Sequence, residues 1–163
     1  YPVHLSPYVR ETAEKFLGGN NRIHLIHPLA VAEIVAEIGL DTDAIAAALL
    51  HDIGIHEAER QHGSSAGPYQ EQEGPAVARP LLSAVGADES EIERICWLIA
   101  HHHSCQAGED TDFRILLEAD FLVNADEDSL PRESIASARE RLFRTDSGKK
   151  LLDDIFLSEP YII

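Results

Sequence analysis

Apolar residues in this chain recur at steps of three and four, the period of helices that bury one face. No alternating stretch is long enough to predict a strand. The pattern predicts an all-α fold, a bundle of about seven or eight helices. Residues 1–7, with Pro2 and Pro7, read as an arm. A short amphipathic helix over 8–17 has Tyr8, Ala13, Phe16 and Leu17 as its apolar positions, and Gly18, Gly19, Asn20 and Asn21 break it. The second helix, over 22–39, carries the stripe Ile23, Ile26, Ala30, Ile34 and Ile38. Pro28 marks its start or a kink, and Gly39 is its stop. Asp41 or Thr42 caps the third, which runs through Ala46–Leu50 into His51 and Asp52. The polar stretch 56–74, rich in Gly, Gln and Glu, predicts an ordered loop. Gly74 and Pro75 open a fourth helix, bent at Pro80 and ended by Gly86. Asp88 and Glu91 have capping-box spacing for a fifth, with the stripe Ile92, Ile95, Cys96 and Ile99. Asp112 caps a sixth, with Phe113, Leu116, Leu117, Asp120 and Asn124 along one face. Residues 132–144 form a basic amphipathic helix and 147–156 a short last one.

The length of 163 residues suits one domain spanning 1–163, with its core at about 20–125 and C-terminal helices over 132–156. A net charge of −16 repels nucleic acid polymers and anionic membranes, so neither is expected as a partner. It does not exclude a small phosphorylated substrate, because a bound divalent cation inverts the local charge. Cys96 and Cys105 match no disulfide framework or zinc knuckle, which suggests a reducing, cytoplasmic setting. No apolar run approaches the roughly 18 residues of a membrane span. No secretory leader is visible, although the chain begins at Tyr1 without an initiator. The acidic surface and the amphipathic last helices are compatible with a homo-oligomer.

Three helices each carry a polar ligand-type residue on an apolar stripe: His27, the pair His51 and Asp52, and Asp120. Alone, each is ordinary, a hydrogen-bonded core histidine or a buried cap. Together, four such groups in one core call for a shared partner, and a cation offsets the cost of burying two carboxylates. Adjacent helical side chains point about 100° apart, so His51 and Asp52 reach one ion only beside a helix end. Imidazole and carboxylate donors suit Fe, Mn, Ni or Zn. Farther on stand His101, His102 and His103. Helical phase from Ile99 favours His102 and His103 as the inward pair, set against histidines that merely decorate a helix C-terminus.

The order His27, His51-Asp52, Asp120 resembles the H…HD…D signature of the HD-domain metal-dependent phosphohydrolases. The local strings are similar too: His-Pro-Leu-Ala-Val-Ala at 27–32, Ala-Leu-Leu-His-Asp-Ile-Gly at 48–54, and Leu-Glu-Ala-Asp-Phe-Leu-Val-Asn at 117–124. The resemblance covers about residues 20–125 and implies an all-helical domain with one divalent metal, or two. The expected ligands are His27, His51, Asp52 and Asp120, with His102 and His103 for a second ion. It implies hydrolysis of a phosphomonoester or phosphodiester in a nucleotide or other small metabolite by a metal-activated water. Asp52 would bind metal and orient the water, and His102 would bind metal or act as general acid. Members with two metals carry a further histidine shortly before a glycine in the intervening segment. Here Gln70, Glu71, Gln72 and Glu73 precede Gly74, which leaves Gln70 or Glu73 as substitutes.

Other departures narrow the substrate. Ile55 and His56 stand where alarmone-hydrolysing members carry an acidic pair. Ile55 and the run 104–108 lack the lysine and the Gly-Tyr-Pro motif of the cyclic-dinucleotide branch. Arg22, Arg79, Arg139, Arg144, Lys149 and Lys150 are candidate phosphate clamps, Arg22 foremost by its closeness to His27, with Asn124 as a further substrate contact. The competing reading is a catalytically silent metal- or nucleotide-binding sensor or scaffold module of the same fold.

Overall fold

The computed structural model describes residues 26–39 and 41–158, together with residue 7. The helix expected over 8–17, the start of the one expected over 22–39, and Arg22 lie outside the described residues. Those described hold eight α-helices and no strand. They are α1 (Ile26–Ile38), α2 (Thr42–Leu50), α3 (Ile55–His62) and α4 (Gly67–Ala84), then α5 (Glu89–His101), α6 (Thr111–Glu127), α7 (Arg132–Leu142) and α8 (Asp146–Leu152). A π-helical turn, Asp153–Leu157, closes the series.

The fold is built around α2, which is apolar all round and is therefore wrapped on every side. Every residue from Ala44 to Leu50 is buried. Helices α1, α5 and α6 pack against it, α4 covers α5, and α3 lies on α4. The alanines at 46–48 keep these neighbours close, so the C-terminal end of α2 opens into the middle of the molecule. The Asp41 carboxylate accepts from the Ala44 N–H at 2.9 Å and fixes the other end. The expected capping box of α5 is present, with Asp88 accepting from Glu91 N and Glu91 accepting from Asp88 N.

Three expectations are corrected. The stretch 56–74 is no loop but α3, a glycine turn and the first half of α4. Its helices are solvated, with Ala58 the one buried residue of α3, so they lack an apolar stripe. Gly63, at φ 68°, ends α3 in the left-handed region, and Pro68 stands in the first turn of α4. Gly74 and Pro75 therefore sit inside α4 instead of opening it. On α1, the buried face is Val31, Ala32, Val35 and Ile38, while Ala30 and Ile34 are half-buried. At the start of α6 the capping position belongs to Asp110. Asp112 lies in the first turn, where its Oδ2 accepts from Arg94 Nε at 2.6 Å.

The C-terminal helices are pinned to α6 by a fully buried carboxylate. Glu118 accepts from the backbone N–H groups of Arg144 and Thr145 at 3.0 and 3.2 Å and from the Thr145 hydroxyl at 2.6 Å. Arg114, also buried, donates to the Cys105 carbonyl at 2.6 Å and to that of Leu142. Among the described residues, no helix is long and apolar enough to cross a membrane.

Candidate metal centre

His51 occupies the position just past α2, and Asp52 begins the turn to α3, so the helix end splays the two side chains as the motif requires. His27 enters from the first turn of α1 and Asp120 from the middle of α6. The four side chains meet. His27 Nε2 lies 3.2 Å from His51 Nε2 and 3.1 Å from Asp120 Oδ1. His51 Nε2 lies 3.4 Å from Asp120 Oδ1 and 3.4 Å from Asp52 Oδ2, and His27 Nε2 is 3.8 Å from that Asp52 oxygen.

The protons of these rings are committed elsewhere. His51 Nδ1 donates to the Ala48 carbonyl at 2.6 Å, and His27 Nδ1 donates to Glu127 at 3.0 and 3.1 Å. In neutral rings, both Nε2 atoms then present lone pairs to each other and to two carboxylates. Acceptors facing acceptors repel unless positive charge sits among them. Without a metal a proton does so: its hydrogen bond to Asp120, opposed by burial and aided by Glu127, raises His27 to about 9. Burial acts to raise the Asp120 carboxyl, but hydrogen bonds from His27 and His51 hold it well below the usual carboxylate range. Ligands about 2.0–2.2 Å from one ion stand roughly 3.0–3.5 Å apart, which the separations around His51 Nε2 match. The donor set thus fits a divalent transition ion, with His27, His51 and Asp52 forming a compact cluster.

His102 comes next. Its Nδ1 donates to the Ile99 carbonyl at 2.6 Å, and its Nε2 is buried with no hydrogen-bond partner among the described residues, 4.0 Å from Asp52 Oδ1. Burial, with the neighbouring His51 and His103, pushes the ring down to about 3. With Nδ1 donating to a carbonyl, the buried Nε2 of His102 is left facing Asp52. The helix ends at His101, so helical phase does not carry through the three histidines. His101 stacks on Trp97, its Nδ1 bonded to the Trp97 carbonyl, away from the cluster. His103 is exposed, tilted against the His102 ring and 3.3 Å from Gln70 Oε1.

The expected substrate contacts divide. Gln70 borders the site through His103, and its amide donates to the Ser65 carbonyl. Glu73 is turned to α3, its oxygens bonded to His62 at 3.0 Å and Gln61 at 3.3 Å. Asn124 is half-buried, one turn beyond Asp120. Arg79, Arg139 and Lys150 are paired with Glu89, Asp153 and Asp154, and Arg144 with Glu109, so these clamps are committed to local carboxylates. Lys149 lies in the last turn of α8, beside Lys150. Sequence reasoning missed Glu127. Its spacing of seven from Asp120 puts it on the same face of α6, which is the signal that could have found it.

The family model for the HD domain matches residues 25–144, which holds all four converging residues and His102. A similar solved structure is that of a predicted HD superfamily hydrolase from an uncultured Thermotogales bacterium. It is 28% identical, with a TM-score of 0.56, and the match covers 93% of this chain and 84% of that one. Short segments resemble larger curated proteins. The match to the UDP-N-acetylglucosamine 2-epimerase of Bacillus subtilis is 58% identical over 33 residues. That to the bifunctional (p)ppGpp synthase/hydrolase RelA of Mycobacterium tuberculosis is 62% identical over 29 residues. These cover 20% and 18% of this chain but 9% and 4% of those proteins.

Proposed function

Because the chain belongs to the HD domain family, we propose that it is a metal-dependent phosphohydrolase acting on a nucleotide or other small phosphorylated metabolite. The observation that carries this is the meeting of two imidazole nitrogens and two carboxylates around one point, with the ring protons turned outward. His27, His51, Asp52 and Asp120 would hold the ion. A divalent ion held there supplies Lewis acidity toward a phosphoryl oxygen and lowers the pKa of nearby water.

The chain's own groups supply the rest. Asp52 faces His27 and His51 with Oδ2 and His102 with Oδ1, so it can take a ligand's place with one oxygen and orient a water with the other. His102 offers its buried lone pair either to a second ion or to a proton from that water. His103 and Gln70, at the rim, are placed to touch substrate. The departure at Ile55 and His56 keeps alarmone hydrolysis outside the proposal, and the short match to RelA does not restore it.

The test is to purify the chain from metal-replete medium, measure bound transition metal by mass spectrometry, and screen nucleotides and p-nitrophenyl phosphate for turnover. Stoichiometric metal, with turnover lost in a folded His51→Ala variant, is the expected result. Metal without turnover would leave the silent sensor or scaffold module, and absence of metal would overturn both.

A further inference from the structure

The three buried or half-buried imidazoles of the centre are oriented in two different ways. His51 and His102 each donate from Nδ1 to a carbonyl three residues earlier, Ala48 and Ile99, at 2.6 Å. Both rings follow a helix whose last turn supplies that acceptor. His27 is the second residue of the described helix α1 and takes its acceptor from another helix. Its acceptor comes from 100 residues away, where both oxygens of Glu127 lie 3.0 and 3.1 Å from Nδ1.

Glu127 is held for this task. It is the last residue of α6, and the chain turns immediately after it. Asp128 N bonds to the Asn124 carbonyl, Leu130 N bonds to the Ala125 carbonyl, and Ser129 adopts φ 49°. A carboxylate in the last turn of a helix faces the negative end of the macrodipole and gains nothing there from its own helix. Meeting the His27 N–H offsets that.

We infer that Glu127 is a positioning residue of the metal centre, fixing His27 as the Nδ1–H tautomer and aiming its Nε2 lone pair at the point shared with His51, Asp52 and Asp120. This rests on the metal-dependent reading above. A carboxylate polarises the ring more than a backbone carbonyl does, so His27 becomes the most strongly donating of the three imidazoles. The same bond ties the end of α6 to the start of α1, so that Asp120 and His27 are held in one register.

The test uses the full chain, stripped of metal and titrated with Co2+, whose absorption spectrum reports its ligands. Glu127→Ala is expected to weaken Co2+ affinity by about 10- to 100-fold, with the circular dichroism spectrum unchanged. Glu127→Gln, whose carbonyl oxygen still accepts from Nδ1–H, is expected to fall between. Nitrogen-15 NMR of the unaltered, Zn2+-loaded chain should show His27 protonated at Nδ1. Equal Co2+ affinity in all three forms, or His27 protonated at Nε2 in the loaded chain, overturns the inference alone. No Co2+ uptake by the unaltered chain overturns the metal reading as well. The NMR result stands even if Glu127→Ala fails to fold.

Discussion

Glu118 and Asp120 stand two residues apart on α6, both on turns rich in buried apolar residues, and they have opposite tasks. Glu118 is fully buried and met by three donors, two backbone N–H groups and a hydroxyl. Asp120 meets ring nitrogens whose own protons are committed elsewhere, beside another carboxylate. The first environment is complete within the chain. The second gathers acceptors, which a proton on His27 holds together when no metal is bound and which fit a metal ion in its place. A buried carboxylate is thus read not from its burial but from whether its neighbours donate or accept.

The widest separation between the two is expected in turnover. His51→Ala, which removes a nitrogen from the centre, should lower phosphoester hydrolysis by about 10³-fold or more, since the ion supplies several kcal/mol of transition-state stabilisation. Glu118→Ala should leave turnover per folded molecule unchanged. Stability should show the reverse. Glu118→Ala strands three donors and should cost roughly 3 kcal/mol or more in urea unfolding. Asp120→Ala should cost the metal-free chain less than that and abolish metal uptake. A metal-free Asp120→Ala chain as unstable as Glu118→Ala would break the comparison.

Added ion sharpens it further. At 100 times its dissociation constant a divalent metal should stabilise the unaltered chain by about 2.7 kcal/mol, measured by thermal unfolding. The same addition should do nothing for Asp120→Ala. The smallest expected effect concerns a third carboxylate. Burial acts to raise Asp112, but hydrogen bonds and charge from Arg94 outweigh it and hold the group below its ordinary value of 3.8. A depressed folded value stabilises above the unfolded one. The contribution is therefore present above pH 3.8 and lost as pH falls through the depressed value. Asp112→Asn should remove about 1 kcal/mol at neutral pH and flatten the acid limb of the stability profile.

The centre was legible where chemistry and period coincided. His27, His51, Asp52 and Asp120 each interrupt an apolar stripe, and the structure brings them together. Glu118 lies on a different face of α6 from Asp120, and only the distant Arg144 and Thr145 reveal its role. Glu127 was hidden because it is exposed and partnered across 100 residues. The caps of α2 and α5 were readable because their hydrogen bonds are local. α3 and the first half of α4 were not, since their solvated faces carry no apolar period. Gly67, Pro68, Gly74 and Pro75 also weigh against a helix there on propensity alone. The cationic clamp candidates are hard to weigh from sequence for a related reason: on a chain with 29 acidic residues, Arg79, Arg139, Arg144 and Lys150 each stand beside a carboxylate.

Gly54, two residues past Asp52, ends the string His-Asp-Ile-Gly at φ −82°, which any residue can adopt. What a side chain would meet there is backbone: a Cβ would stand 2.7 Å from Gly74 N and 2.9 Å from the Gln70 carbonyl oxygen. Gly74 in turn lies against Ile99, where its own Cβ would come within 2.7 Å of Cγ2. Two missing methyl groups therefore let the turn that bears His51 and Asp52 pack directly on α4, the helix that bears Gln70, and α4 on α5. A methyl group at position 54 or 74 would drive these two elements apart, and with them the spacing between Asp52 and Gln70.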